Sequence, residues 1–303
     1  MQYLKYLVGI FLLLYLFSFV DINELFKTLH RIDYLELILI ILISFIFLIS
    51  QALRLHMLIY AYVLNFYETA KLAFISQFFS NFLPGGLAGD FYKIHFLRQS
   101  KLNVSSGLAK IGIDRLSGSV ILIILSLIYF TFRSNAVLDQ IEFELSINAY
   151  LIASFLMIFL VISIMLFKFK EKIKSTFNSV RNDLNQIKKI NLVYFVFLSL
   201  VVFVIRLIKF HIIFIALGFE FNFIDLIFLA FISQIAGMIP ISIGGLGVIE
   251  ASLFYGLTLF NVTENIAFAF VILNRFTIWI VSIVGGLYWL NFKKSTNKSL
   301  KTK

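Results

Sequence analysis

Two short stretches combine proline, glycine and an acidic residue, and a matching arginine follows each of them. LPGGLAGD occupies residues 83–90 and IPISIGGLGVIE occupies residues 239–250, with Arg115 and Arg275 further along the chain. Glycines let the backbone turn tightly and approach a ligand, and the N-terminus of a following helix favours negative charge. Arginine binds phosphate groups through its planar fork of donors. The pattern therefore predicts anion capture at these turns.

The candidate site residues lie on these two stretches and on the arginine-bearing segments around them. The main set is Pro84, Gly85, Gly86, Gly89, Asp90, Lys93, Asp114, Arg115, Pro240, Gly244, Gly245, Gly247, Glu250 and Arg275, and the secondary set is Arg54, Arg206, Gln77 and Gln234. Structural alternatives stay open for both sets. A Pro-Gly-Gly run also forms simple kinks, and Arg115 could pair permanently with a nearby acid, namely Asp114, Asp90 or Glu250. Arg54 and Arg206 could extend to lipid headgroups.

The elements that position these residues must be membrane helices. Of the 303 residues, 61% are hydrophobic and 14% are charged, and the mean hydropathy is +0.98. An ordinary soluble domain has about 25% charged residues, so a soluble fold is excluded. A helix needs about 20 residues to cross a bilayer. The composition predicts a polytopic, all-α membrane protein.

Hydropathy divides the chain into six spanning helices and two broken segments. The predicted spans are 3–20, 35–53, 105–132, 148–167, 192–217 and 265–290. The regions 70–98 and 222–260 each hold an apolar arm, a proline followed by glycines, and a second arm with an acid. Neither region accommodates two full crossings comfortably, so each is predicted to be a re-entrant or broken helical hairpin. The first span is expected to stay in the protein, because no small-residue cleavage site follows it.

An internal repeat organises these segments into one transmembrane domain, residues 1–303. The pentapeptide AFISQ occurs at 73–77 and again at 230–234, and similar proline, glycine, acid and arginine features flank both copies. The repeats are predicted at 34–132 and 192–290. Two full crossings, 105–132 and 148–167, lie between the second span and the fifth. The spans that precede the two hairpins are therefore expected to start from opposite faces, so the two repeats are expected to be inverted, with their glycine tips meeting near the middle of the membrane. Many secondary transporters use this arrangement.

The net charge of +10 is concentrated in two segments. These are 168–190 and 291–303, which we interpret as a basic cytoplasmic loop and a basic cytoplasmic tail. This distribution follows the positive-inside rule and places both termini in the cytoplasm, with the chain in the plasma membrane. It disfavours a nucleic-acid partner. With no cysteine and four scattered histidines, neither a metal site nor a cofactor is expected.

The motifs resemble those of a known family. LPGGLAGDFYKIHFL (83–97), IDRLSG (113–118) and IPISIGGLGVIEASL (239–253) look like signature stretches of the lysylphosphatidylglycerol synthase transmembrane-region family of flippase-like membrane proteins. The resemblance covers essentially the whole chain and implies handling of anionic or isoprenoid phospholipids. All members of the main site set except Gly85 fall on motif positions. Ile249 departs from the pattern, because a basic residue often stands there.

These considerations lead to a transport hypothesis. The chain is expected to be a lipid translocase that moves an anionic phospholipid or an isoprenoid-phosphate-linked lipid through a site between two opposed hairpins. The alternative is an accessory subunit or enzyme that presents a lipid for glycolipid or aminoacyl-phospholipid synthesis, with a lipid-modifying enzyme or glycosyltransferase as partner. Some family members carry a soluble aminoacyl-transferase domain. The chain stops soon after its last span, so we expect no such enzymatic activity.

Overall fold

The structure is a computed structural model that describes residues 2–59, 64–83, 88–99, 104–141, 189–238 and 242–301. Every regular element within these residues is helical. In chain order they are α1 (Gln2–Phe17), α2 (Ile22–His30), α3 (Tyr34–Ile59), α4 (Phe66–Phe82), α5 (Ala88–Gln99), α6 (Val104–Ile141), α7 (Lys189–Ala216), α8 (Leu226–Met238), a 3-10 turn (Ile243–Gly245), α9 (Val248–Thr258) and α10 (Glu264–Lys301).

Four helical segments are long and apolar enough to cross a bilayer. They are Tyr34–Ile59, Lys110–Tyr129, Val193–Ala216 and Glu264–Leu290, and they coincide with four of the six predicted spans. The predicted span 148–167 lies outside the described residues, as does all but the end of the basic segment 168–190. The chain is therefore a helical membrane protein with four such spans among its described residues, or five if the bent N-terminal pair counts as one.

The N-terminal segment begins with a helix that covers most of the span predicted at 3–20, and a second, shorter helix follows it. Helix α1 ends at Phe17, and α2 leaves it at an angle of 90°. Asp21 begins the second helix, because its carboxylate accepts the backbone N–H groups of Asn23 and Glu24 and so satisfies donors that the first turn leaves free. The side-chain cap thus begins a separate helix over the residues that follow the predicted span.

Two helical hairpins occupy the regions where they were predicted. Arm α4 packs against α5, and arm α8 packs against α9. At 17 residues, α4 is shorter than the ~20 that a crossing needs, and its start is fixed by a reciprocal capping box between Asn65 and Glu68. Residues 84–87 and 239–241 lie outside the described residues.

The hairpins pack across the molecule rather than within their own halves alone. Arm α4 lies along α10, arm α8 lies along α6, and α3 lies along α7. Close approach of α4 and α10 depends on Gly285, where an added Cβ would lie 1.9 Å from the carbonyl oxygen of Phe74. Exchanging α3, α4, α5 and α6 with α7, α8, α9 and α10 maps the contact of α4 with α10 onto that of α8 with α6, and maps the contact of α3 with α7 onto itself. This interlocking brings charged residues from both parts of the chain to one interior region.

Candidate functional site

Two adjoining cavities open in the interior of the bundle, with volumes of about 280 Å³ and 300 Å³. They share several lining residues, including Gln51, Gln77, Arg115, Arg206 and Gln234. We therefore treat them as two lobes of one central cavity. Lobe A has the smaller volume and is also lined by Lys209 and Asn274. Lobe B is also lined by Ser80, Asn81, Asp90 and Lys93 of the first hairpin.

Most of the sequence-predicted site residues reach this cavity. Those that line it are Arg54, Gln77, Asp90, Lys93, Asp114, Arg115, Arg206, Gln234, Gly244, Gly245 and Arg275. Glu250 accepts a hydrogen bond from Arg275 of this set, and Gly247 donates its N–H to Glu250. Gly89 lies beside Asp90 at the start of α5. Pro84, Gly85, Gly86 and Pro240 lie outside the described residues.

In the first half of the chain, an ion pair joins α5, the second arm of the first hairpin, to the long helix α6 that follows it. Arg115 Nη1 on α6 lies 2.7 Å from Asp90 Oδ2 on α5, and Lys93 Nζ lies 3.3 Å from the other oxygen of Asp90. The Arg115 and Asp90 side chains are 34% and 22% exposed. Asp90 is thus the acid, among the three considered, that partners Arg115.

In the second half, Arg275 holds the glycine turn. Its Nε donates to Glu250, and its Nη1 donates to the carbonyl of Gly244 at 3.3 Å. The other carboxylate oxygen of Glu250 accepts the N–H of Gly247 at 2.7 Å. The backbone there is left-handed, with φ values of +59° at Gly244, +72° at Gly245 and +81° at Gly247. Residues other than glycine rarely adopt positive φ values. Glu250 therefore already places a negative charge at the N-terminus of α9, and Arg275 braces the turn.

The turn of the second hairpin touches the end of the first hairpin's leading arm. A Cβ on Gly244 would lie 3.0 Å from the Cα of Asn81 and from the carbonyl oxygen of Ser80. Asn81 in turn donates to Ser282 Oγ of α10 at 2.7 Å. The sequence predicts that the two glycine tips meet. The structure places the second tip against α4, and the first tip, at 84–87, is not among the described residues.

Arg54 forms a buried ion pair rather than extending to the headgroups. Its Nε lies 2.8 Å from Asp114 Oδ1, and the two side chains are 7% and 10% exposed. This pair joins α3 to α6 across 60 residues of sequence. A carboxylate at this distance neutralises the guanidinium, so Arg54 contributes little net charge to the cavity.

Arg206 and Lys209 present positive charge to lobe A. Arg206 Nη1 donates to Gln234 Oε1 at 2.8 Å, and its guanidinium lies over the ring of Phe47. Lys209 is 5% exposed and lines the lobe. Within the described part of the chain, no carboxylate lies within 4 Å of either cation. Sequence reasoning missed Lys209, although its position three residues after Arg206 places it on the same helix face.

The chemistry available here is charge recognition. Across the described ranges, no group of three or more histidine, aspartate or glutamate side chains is arranged to hold a metal ion. The acids of the cavity region instead face basic side chains: Asp90, Asp114 and Glu250 each contact an arginine. The arrangement can hold an anion through guanidinium and ammonium groups and neutral amides.

Comparison with known proteins places the chain among membrane proteins. A family described as lysylphosphatidylglycerol synthase TM region matches residues 2–286. A UPF0104 membrane protein of Pyrococcus horikoshii is 22% identical over 330 aligned residues, covering 97% of this chain and 98% of its own length. A UPF0104 membrane protein of Methanocaldococcus jannaschii is 27% identical over 205 residues, covering 66% of this chain and 87% of its own. No solved structure matches significantly.

Proposed function

The chain belongs to the lysylphosphatidylglycerol synthase TM region family, and from this membership together with the central cavity we propose that it translocates an anionic lipid. The headgroup passes through the central cavity while the acyl chains remain in the bilayer. A phospholipid or an isoprenoid-phosphate-linked lipid has the required combination of a negatively charged head and a long apolar tail.

The excess of positive charge in the cavity carries this proposal. Six basic side chains line the two lobes, namely Arg54, Lys93, Arg115, Arg206, Lys209 and Arg275. Three acids partner them, Asp90, Asp114 and Glu250. A charged side chain inside a membrane costs at least about 2.5 kcal/mol, so an unneutralised cation needs a compensating role. A guest anion supplies the missing negative charge.

Alternating exposure of the cavity is the proposed means of transport. The helix contacts pair up when the two halves are exchanged, which supports two structural repeats, and we propose that these repeats are inverted. The matching ion pairs differ in exposure. The Arg115 and Asp90 side chains are 34% and 22% exposed, whereas those of Arg275 and Glu250 are 8% and 4% exposed. This difference supports a state in which the cavity is more open beside the first hairpin.

We further propose that the protein moves its lipid without changing it chemically. The partner is then the anionic lipid itself, and an enzyme of lipid modification or glycosylation acts before or after the transfer. We propose the plasma membrane as the location, with both termini in the cytoplasm, on the strength of the basic segments 168–190 and 291–303. Mass spectrometry of the lipid after transfer should return the mass that was supplied.

A headgroup-accessibility assay tests the proposal. Purified protein is reconstituted into vesicles that carry a trace of fluorescent phosphatidylglycerol or fluorescent phosphatidylcholine, and an external quencher reports movement between leaflets. The anionic lipid should cross faster than in protein-free vesicles, and the zwitterionic lipid should not. Arg115→Gln should slow the transfer, while Arg31→Gln, a change at an exposed position after α2, should not. Equal rates with and without protein for every anionic lipid tried would refute the proposal.

A presenting subunit gives a different result in the same vesicles. Such a subunit would bind the anionic lipid, and the binding would depend on Arg115, but the distribution of the lipid between the leaflets would not change. Binding without movement would therefore favour the accessory role over translocation.

A further inference from the structure

The two halves of the chain differ in charge at one matching position. The spacing that relates Arg115 to Arg275, and Asp90 to Glu250, relates Asp114 to Asn274. In the first half, Asp114 neutralises Arg54 at 2.8 Å. In the second half, the matching position is an amide, which carries no charge. The arginine that matches Arg54, which is Arg206, therefore has no carboxylate equivalent to Asp114.

The surroundings of Arg206 increase this local charge. Lys209 is only 5% exposed. It lies about one turn after Arg206 on α7 and lines lobe A together with Arg206 and Asn274. The rest of the polar lining includes Arg115, which Asp90 partners, and neutral groups from Ser233 and Gln234 on α8 and from Gln51 and Gln77. Lobe A thus holds two cations that no carboxylate approaches within 4 Å among the described residues, the paired Arg115, and neutral donors.

We propose that Arg206, Lys209 and Asn274 form the seat for the phosphate oxyanion of the transported headgroup. This inference rests on the proposed function for the source of the phosphate, and it assigns the binding to lobe A rather than to the glycine turns. Arg206 donates one hydrogen bond from Nη1 to Gln234. Its other N–H groups remain as donors, because a guanidinium has five. Lys209 adds a point charge. The amide of Asn274 can donate without cancelling either charge.

The seat explains why the second half carries an amide where the first carries an acid. Arg54 with Asp114 is a self-neutralised structural pair, whereas Arg206 and Lys209 have no carboxylate within 4 Å among the described residues and are left to face a guest. An aspartate at position 274 would give Arg206 an internal partner and compete with the phosphate. Asn274→Asp is therefore the sharpest single test, because it changes the charge with little change in volume.

Binding is measured by titration calorimetry on the full chain in neutral nanodiscs. The probes are inorganic phosphate, short-chain phosphatidylglycerol and short-chain phosphatidylcholine, at constant ionic strength. The parent should bind the two anionic probes. Hydrogen bonds to charged groups are each worth about tenfold to a hundredfold in affinity, so Asn274→Asp, Arg206→Gln and Lys209→Met should each weaken binding by about tenfold or more. The controls Lys27→Met and Arg31→Gln make the same chemical changes at exposed positions on and after α2 and should bind as the parent does.

A stability readout protects the test against misfolding. Lys209→Met replaces an uncompensated buried cation with an apolar side chain of similar length, so the unliganded variant should unfold at the same temperature as the parent or higher. It should lose the upward shift that phosphate gives the parent. A lower unfolding temperature combined with retained phosphate binding would overturn the seat, because Lys209 would then be structural.

The outcomes separate the seat from the transport proposal. If the parent moves anionic lipid but the three seat variants bind like the controls, the seat is wrong and translocation stands. If the parent binds phosphate at the seat but moves no lipid, the seat stands and translocation is refuted. Binding of inorganic phosphate without phosphatidylglycerol would place a free anion in lobe A, and binding of both would support a lipid headgroup.

Discussion

Asp114→Asn removes the carboxylate that neutralises Arg54, and the geometry sets the size of the expected effect. The two side chains meet at 2.8 Å and are 7% and 10% exposed. Removing one member of a buried ion pair costs about 3–5 kcal/mol, because the other member is left charged away from water. A guanidinium keeps its proton in proteins, so Arg54 cannot avoid this cost. At about 2 °C per kcal/mol for a chain of this size, the thermal midpoint should fall by ~6–10 °C.

The matched variant is Arg206→Gln, on the helix that packs along α3. It loses one hydrogen bond to Gln234, worth about 1 kcal/mol, and it removes a cation that has no acid within 4 Å among the described residues. These effects oppose each other, so the midpoint should change by less than about 2 °C. The two halves of the protein should therefore respond differently to the loss of one charged group at the matching arginines Arg54 and Arg206: the loss of the partner acid in the first half and of the arginine itself in the second.

The measurement is unfolding of the purified protein in one detergent, followed by intrinsic tryptophan fluorescence. The double variant Arg54→Gln with Asp114→Asn should be less destabilised than Asp114→Asn alone, because no unpaired charge remains. Equal midpoint losses in Asp114→Asn and Arg206→Gln would refute the reasoning. The reasoning would also be refuted if the loss in the double variant equalled the sum of the losses in Arg54→Gln alone and Asp114→Asn alone.

Two further predictions concern packing and orientation. Gly89→Ala should separate the arms of the first hairpin and lower the yield of folded protein, because the new Cβ would lie 2.2 Å from both the carbonyl oxygen of Ser76 and Oγ of Ser80. Gly112→Ala should leave size-exclusion behaviour unchanged, since nothing lies within 4 Å of its added Cβ; equal losses in both variants would contradict the packing argument. In the cysteine-free chain, a single cysteine placed within 168–190 should react with an impermeant maleimide only after the cell membrane is opened, and labelling of intact cells would refute the predicted orientation.

Hydropathy and residue spacing predicted the spans and hairpins that the structure describes, since apolar length and the proline and glycine turns are local properties. The same local reasoning placed Asp90 and Arg115 in one region, where they pair. It could not choose Asp90 from the three available acids. That choice depends on how α5 and α6 rotate against each other, and spacing along one helix does not fix a rotation between two.

The sequence left the interaction partner of Arg54 open for a related reason. Helix α3 is apolar on nearly all sides, so its sequence does not define which face meets α6. Two interpretations, a headgroup contact and a site residue, were considered, and a buried pair across 60 residues was found. Lys209 was missed because a lone lysine among apolar residues carries no motif. Its spacing from Arg206 was the available signal.

A Cβ on Gly244 would lie only 3.0 Å from the Ser80–Asn81 backbone, and Asn81 is hydrogen-bonded to α10. A turn seated this tightly cannot advance without pushing its neighbour. Under the proposed transport cycle, the two hairpins should therefore move together, and a covalent crosslink that immobilises one should arrest the other.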